Sequence, residues 1–195
     1  MKNRFVILGA GGVGTAIGAA LAEKYYEETI LIGRKDHVFA LNLKGCDITG
    51  SMNRNVRTRA AEEIDFPLEN ALLIVAVKIT DLESSLRKIQ PYFTETTSVL
   101  LVQNGYGVKN IANRALFGLA DQDRVFQAIA AMGAVLSAPG QLELYPGGLK
   151  AEKAFAESEF CNIFKGTFFE FKVTSDLEKA IWIKLIINSI VNPLS

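Results

Sequence analysis

The run RFVILGAGGVGTAIGAALAEKY, residues 4–25, decides how this chain is read. Residues 4–8 are short, apolar and carry Phe5, Val6 and Ile7, the composition of a strand, whereas 15–25 are rich in alanine and leucine, the composition of a helix. Between them stands Gly9-Ala-Gly-Gly-Val-Gly14. A G-x-G-x-x-G that closes a strand and opens a helix carries a mechanism that the same letters in an arbitrary loop do not. Gly9 permits the tight turn, Gly11 leaves backbone room for a pyrophosphate, and Gly14 lets helix and strand pack closely. The helix N-terminus adds N–H donors and partial positive charge. Gly9, Gly11, Gly12, Val13 and Gly14 are therefore the expected contacts of a dinucleotide, against the alternative of a glycine-rich turn without a ligand. The same stretch, preceded by Lys2 and Arg4, also imitates a signal peptide, but its glycines are spaced for the other purpose.

Outward from this stretch the pattern repeats. A second strand is expected at 29–32, and the continuous apolar runs 71–77 and 98–102 read as strands covered on both faces of a parallel sheet. Helical stretches fall near 82–89 and 109–117. Strand and helix in alternation imply right-handed crossovers and an α/β fold: a Rossmann-type, doubly wound, mostly parallel sheet. Residues 46–59 break the rhythm with a Gly, Asn and Ser cluster and read as an irregular hairpin. Further strands are expected at 125–132 and 141–145 around the Ala-Pro-Gly turn at 138–140, an amphipathic helix at 151–164 and a strand at 168–173. Asp176 is placed to cap the final helix. No internal repeat or low-complexity segment interrupts the chain.

Composition narrows the function. The 195 residues are 49% hydrophobic and 22% charged, enough for one good core, and 21 cationic residues cancel 21 acidic ones. Neither nucleic acid nor a membrane surface is expected as a partner; a small molecule is. Cys46 and Cys161 lie far apart and the chain has a single histidine, His37, so no metal site is expected and the thiols read as reduced and cytoplasmic.

The turn after the second strand is where dinucleotide enzymes read the ribose. Here it is Gly33-Arg34-Lys35, two cations that suit a 2′-phosphate and hence NADP(H). Asp36 comes late for a ribose contact but leaves NAD open, and a solvated basic turn is the plain alternative. In open α/β sheets ligands collect at the carboxyl ends of the strands. Lys78 follows one such run and Asn104 the next, although either fits a surface turn equally well.

The closing segment IWIKLIINSIVNPLS, 181–195, places Lys184, Asn188 and Asn192 four residues apart, on one face of a helix. A lysine on so apolar a segment suits a proton donor in a cofactor cleft, with Asn188 orienting the substrate. The alternative is a snorkelling lysine with polar asparagines at a helix end. Asn192 precedes Pro193, which biases it away from helical geometry.

These motifs together resemble the ketopantoate reductase (2-dehydropantoate 2-reductase) family. The resemblance rests on GAGGVG, the Arg34 turn, Val77-Lys78, LLVQNGYG at 100–107, and W-x-K-L-x-x-N-x-x-x-N-P from Trp182 to Pro193. It implies NADPH-dependent reduction of a 2-oxo acid, with Lys184 as general acid. Asn104, Asn188, Asn192 and Lys78 would lie at the substrate, Lys78 and Asn104 also toward the cofactor, and Arg34 with Lys35 at the 2′-phosphate. The family continues into an all-helical domain carrying Ser-Met-x-Gln-Asp and Arg-x-Thr-Glu-Ile-Asp segments, neither of which this sequence contains. Residues 1–173 are thus expected to form the NADP-binding domain, and 174–195 a linker and the first helix of a truncated helical substrate domain. On that division the chain would be catalytically incomplete, and its last helix exposed enough to pair with a second copy as a homodimer. A non-catalytic NADP-binding module and an interaction protein are the competing readings.

Overall fold

The computed structural model describes residues 4–119 and 121–191, with side chains described as far as Ile186. In chain order the elements are β1 (Phe5–Leu8), α1 (Gly12–Lys24), β2 (Thr29–Ile32), α2 (Lys35–Lys44), β3 (Cys46–Gly50), β4 (Arg54–Val56), β5 (Ala60–Ala61), β6 (Leu72–Val75), α3 (Ile79–Ile89), β7 (Ser98–Leu101) and α4 (Val108–Ala115). They continue with β8 (Val125–Ala130), β9 (Ala134–Ala138), β10 (Gln141–Leu144), β11 (Gly148–Glu152), β12 (Glu170–Thr174) and α5 (Leu177–Val191).

Eight strands form the main sheet in the order β12-β11-β8-β7-β6-β1-β2-β5. The six from β5 to β8 are parallel; β11 runs antiparallel to β8, and β12 parallel to β11. This is the expected doubly wound α/β sheet, with antiparallel pairing beginning at β11. Every residue of β1, β2, β6 and β7 is buried, because helices cover both faces. Alternation divides the core: Phe5 and Ile7 pack with α1, whereas Val6 and Leu8 pack with Leu82 and Leu86 of α3 and Ala112 of α4. The chain leaves β1 toward β2 and β5, then crosses back to β6, so the topological switch lies between β1 and β6.

A second sheet, β4-β3-β10-β9, joins the irregular hairpin at 46–59 to the 134–144 hairpin through parallel pairing of β3 with β10. It packs on α1 from the side opposite the main sheet. That double cover explains why Gly14 through Ala22 are all buried and α1 has no polar stripe.

Several elements depart from expectation: β9 and β11 are strands the sequence pattern did not show, and two helices differ. No α-helix forms over 151–164: Ala151 and Glu152 belong to β11, and a 3-10 turn at Lys153–Glu157 is followed by further turns. The cause is local. The Ser158 hydroxyl donates to the Phe155 carbonyl at 2.7 Å and accepts from Phe160 N–H at 3.3 Å, diverting groups that a helix would need. Phe155, Phe160 and Phe164 are then free to bury separately, Phe155 edge-on to Phe126 and Phe164 stacked on Phe171. Helix α2 was not anticipated, because Phe39 and Leu43 point outward and blur its apolar face. The cap at Asp176 forms, its Oδ1 accepting from Lys179 N–H at 2.9 Å. Among the described residues no helix is long and apolar enough to cross a membrane.

Candidate functional site

The glycine loop is built almost wholly by close approaches of backbone. Gly9 sits at φ +101°, and a Cβ there would stand 2.7 Å from Val77 N at the end of β6. Its N–H and that of Ala10 both donate to Ile32 O, at 3.0 and 2.8 Å, tying the loop to the end of β2. A Cβ on Gly12 would lie 2.0 Å from Ala134 O, and one on Gly14 2.1 Å from Gly9 O. Gly11 differs: nothing lies within 4 Å of its Cβ position, and it is exposed. As N-cap of the 13-residue α1 it offers no side chain to the first N–H groups, which stay uncapped. An open glycine in front of uncapped donors fits a pyrophosphate. Val13 is half-buried and packs against the core.

Arg34 is the N-cap of α2 and Lys35 its first residue, both exposed at the end of β2. Gly33 abuts the glycine loop, since a Cβ on it would fall 2.8 Å from Ala10 Cβ. The cationic turn is thus adjacent to the glycine loop.

The other half of the site lies at the carboxyl ends of β7 and β8. Buried Gln103 donates through Nε2 to Val75 O at 2.9 Å, beside the Val102 N–H bond to the same carbonyl at 3.0 Å. Gln103 is therefore a tie between β6 and β7, a role its sequence position did not disclose; its buried Oε1 has no partner. Gly105, at φ +133°, then lets the loop turn outward. Helix α5 lies against β8 and β11, and Lys184 Nζ donates to Ala130 O where β8 ends. Burial lowers the Lys184 pKa from its ordinary value. Asn104, Gly105, Ile129, Ile181, Lys184 and Leu185 line a narrow recess with no room for a water molecule. Tyr106 and Trp182, ring centroids 5.9 Å apart, join the 103–107 loop to α5 at its rim.

Lys184 and Asn104 are thus brought together, 80 residues apart in sequence. Lys78 is exposed as N-cap of α3 and does not line the recess, although its neighbour Ile79 reaches within 3.2 Å of the Gly105 Cβ position. Asn188 lies on α5 one turn beyond Lys184, but its side chain, like all of Asn192, lies outside the described residues. Among the described residues no group of three or more His, Cys, Asp or Glu could hold a metal.

A larger cleft, about 600 Å³, opens where β7 and β8 begin, at the far end of those strands. Its cations are already engaged, Lys109 with Glu152 and Arg124 with Ser98, so it does not compete as the site.

The family model of ketopantoate reductase PanE/ApbA matches residues 5–150. The 2-dehydropantoate 2-reductase of Pyrococcus abyssi (strain GE5 / Orsay) is 31% identical, over 98% of this chain and 63% of its own length. The crystal structure of a PanE/ApbA family ketopantoate reductase from Ralstonia eutropha JMP134 is similar with a TM-score of 0.81 at 26% identity, over 95% of this chain and 61% of that one. D-mandelate dehydrogenase, solved with NADH and anilino(oxo)acetate, shares the fold at a TM-score of 0.80 and 20% identity, again over 95% and 61%. Relatives of this kind are longer, and the chain spans about 63% of the length of the first curated one. With the sheet order, the open Gly11 and a family match over three-quarters of its length, this chain belongs to the ketopantoate reductase family.

Proposed function

We propose that this chain binds NADPH and carries the proton donor for reduction of a 2-oxo acid, 2-dehydropantoate or a close relative, to the 2-hydroxy acid. The observation that supports the reading most is Lys184, partly desolvated and sharing its recess with Asn104 at the strand ends where such sheets hold ligands. Residues up to 173 would form the cofactor domain, and those from 174 onward the start of a helical unit.

Each residue then has a task. The backbone at Gly11 and the first N–H groups of α1 take the pyrophosphate, while Arg34 and Lys35 take the 2′-phosphate, Arg34 through its two-pronged guanidinium. When bound, NADPH would supply a hydride to the carbonyl carbon. As that carbon is reduced its oxygen gains charge, and the Lys184 ammonium neutralises it and gives up a proton, to be recharged from solvent. Burial strengthens the attraction and eases the transfer, because it disfavours the charged lysine before reaction. Asn104, with Lys78, Asn188 and Asn192, would orient the acid.

The test is a titration of NADPH and NADH into the chain, followed by NADPH oxidation with 2-dehydropantoate and branched 2-oxo acids, for wild type and Lys184→Met. Absence of NADPH binding refutes the cofactor reading, and turnover indifferent to Lys184→Met refutes its role. Binding without turnover by this chain alone fits an incomplete substrate site; only if turnover stays absent when the helical domain of a relative is appended is a non-catalytic dinucleotide module favoured.

A further inference from the structure

His37, the single histidine, has no part in the chemistry above. It is buried on α2, three residues after Arg34. Its Nδ1 accepts from the Gly140 N–H at 3.0 Å, and its Nε2 lies 3.0 Å from Thr15 Oγ1. A backbone N–H can only donate, so Nδ1 carries no proton; the neutral ring keeps its hydrogen on Nε2 and gives it to the threonine hydroxyl. Burial favours that neutral form.

The bonds continue at both ends. Thr15 N–H donates to Gly11 O at 2.8 Å, and Val38 N–H to Arg34 O at 2.9 Å. One ring therefore links the turn of α1 that starts at the open glycine, the turn of α2 that starts at the cationic pair, and the hairpin between β9 and β10. The hairpin is itself anchored, since Gly140 O accepts from Asp47 N–H at 2.8 Å. At the strand ends the loops are already tied, since Gly9 and Ala10 N–H donate to Ile32 O and Gly33 abuts Ala10; the His37 ring adds the tie between the two helices behind them.

A 2′-phosphorylated dinucleotide must be gripped at two separated points, the pyrophosphate beside Gly11 and the phosphate at Arg34. A forked guanidinium contact tolerates little displacement, so the spacing of the turns decides whether both grips form. We propose that His37 is a positioning residue whose bonds to Thr15 and Gly140 set the separation of the glycine loop and the Arg34 turn, and with it the preference for a 2′-phosphorylated dinucleotide. The inference rests on the NADPH reading.

NADPH and NADH are titrated separately into wild type, Thr15→Val, Thr15→Ser and His37→Asn, with thermal melting of each. Thr15→Val keeps the shape and removes the hydroxyl, and should lower the NADPH-over-NADH affinity ratio about tenfold while NADH affinity stays within about twofold, the size of a weakened charge-assisted contact. Thr15→Ser should restore the ratio, and His37→Asn should lower it as Thr15→Val does. A purely structural role would lower the melting temperature and weaken both cofactors equally; that outcome, or an unchanged ratio in Thr15→Val and His37→Asn, overturns the proposal. Wild type without NADPH preference overturns the cofactor reading itself, and this inference with it.

Discussion

Adjacent glycines in the loop between β1 and α1 should respond to the same substitution in opposite ways. A Cβ on Gly12 would stand 2.0 Å from Ala134 O and 2.6 Å from its carbonyl carbon, so Gly12→Ala must push α1 and β9 apart. The obstacle is backbone held in a ladder with β10, which cannot rotate aside as a side chain would. Overpacking of this kind costs roughly 1–3 kcal/mol, offset in part by up to about 1 kcal/mol from the better helix propensity of alanine. With both effects at mid-range the net loss is about 1.5 kcal/mol, which in a chain this long lowers Tm by roughly 3–6 °C.

Gly11→Ala meets nothing within 4 Å, and the backbone at φ −80°, ψ −166° is extended and suits any residue. The unfolded chain loses about 0.4–1 kcal/mol of entropy, favouring the fold, while alanine is a poorer N-cap by a similar amount, so Tm should stay within about 2 °C. Its methyl group, however, enters the space assigned to the pyrophosphate, and NADPH affinity should fall about tenfold or more. Thermal melts and NADPH titrations of both variants decide the matter. A Gly12→Ala protein that melts like wild type, or a Gly11→Ala protein that binds NADPH normally, would refute the assignment of packing to one glycine and ligand to the other.

Three further outcomes follow from titratable groups. As the proposed proton donor Lys184 would have to be protonated, and burial lowers its pKa below the ordinary lysine value, so the rate should decline with rising pH below the range where an exposed lysine titrates; a flat profile up to pH 10 would contradict this. His37 has a lowered folded pKa, so below about pH 6.5 the unfolded chain binds a proton that the fold excludes, and stability should fall by up to about 1.4 kcal/mol per pH unit until the folded ring itself titrates. Urea unfolding between pH 7 and 5 should show this slope, and His37→Asn should flatten it. Burial, with Asp47 adding to it, pushes the Cys46 thiol up to about 12, so iodoacetamide should label half-buried Cys161 and spare Cys46 until the protein unfolds.

What could be read from the sequence was whatever leaves a local pattern. The strand, glycine loop and helix at 4–25 are contiguous and their packing is dictated by small residues, so the close approaches at Gly9 and Gly14 were legible. Arg34 and Asn104 could be placed because strand ends in such a sheet have known neighbours. Helix α2 escaped because Phe39 and Leu43, 68% and 71% exposed, lie off its buried face and erase the period. The segment 151–164 deceived because apolar residues recur at three- and four-residue spacings, Ala151 with Ala154 and Phe155, and Phe160 with Ile163 and Phe164, while Ser158 captures the backbone. The recess shared by Lys184 and Asn104 depends on where α5 lands on β8, which the spacing within 181–195 does not specify. The bridge from Thr15 through His37 to Gly140 spans residues 22 and 103 apart and leaves no periodic trace.

The small residues of α1 solve two problems at once. Two sheets press on this helix, and the main one comes so near that a Cβ on Gly18 would lie 2.5 Å from the Leu31 side chain. Alanines at 16, 19, 20 and 22 keep the remaining faces thin enough for both sheets to bury. The same compression fixes the loop ahead of the helix, because Gly12 is held against Ala134, Gly14 against Gly9, and Gly9 against Val77. Of the four glycines of this loop only Gly11 faces open space, so the donors beside it are held in place by packing alone. The pyrophosphate site proposed here would have little ordering entropy left to lose on binding, and its affinity would follow from the packing of the helix behind it.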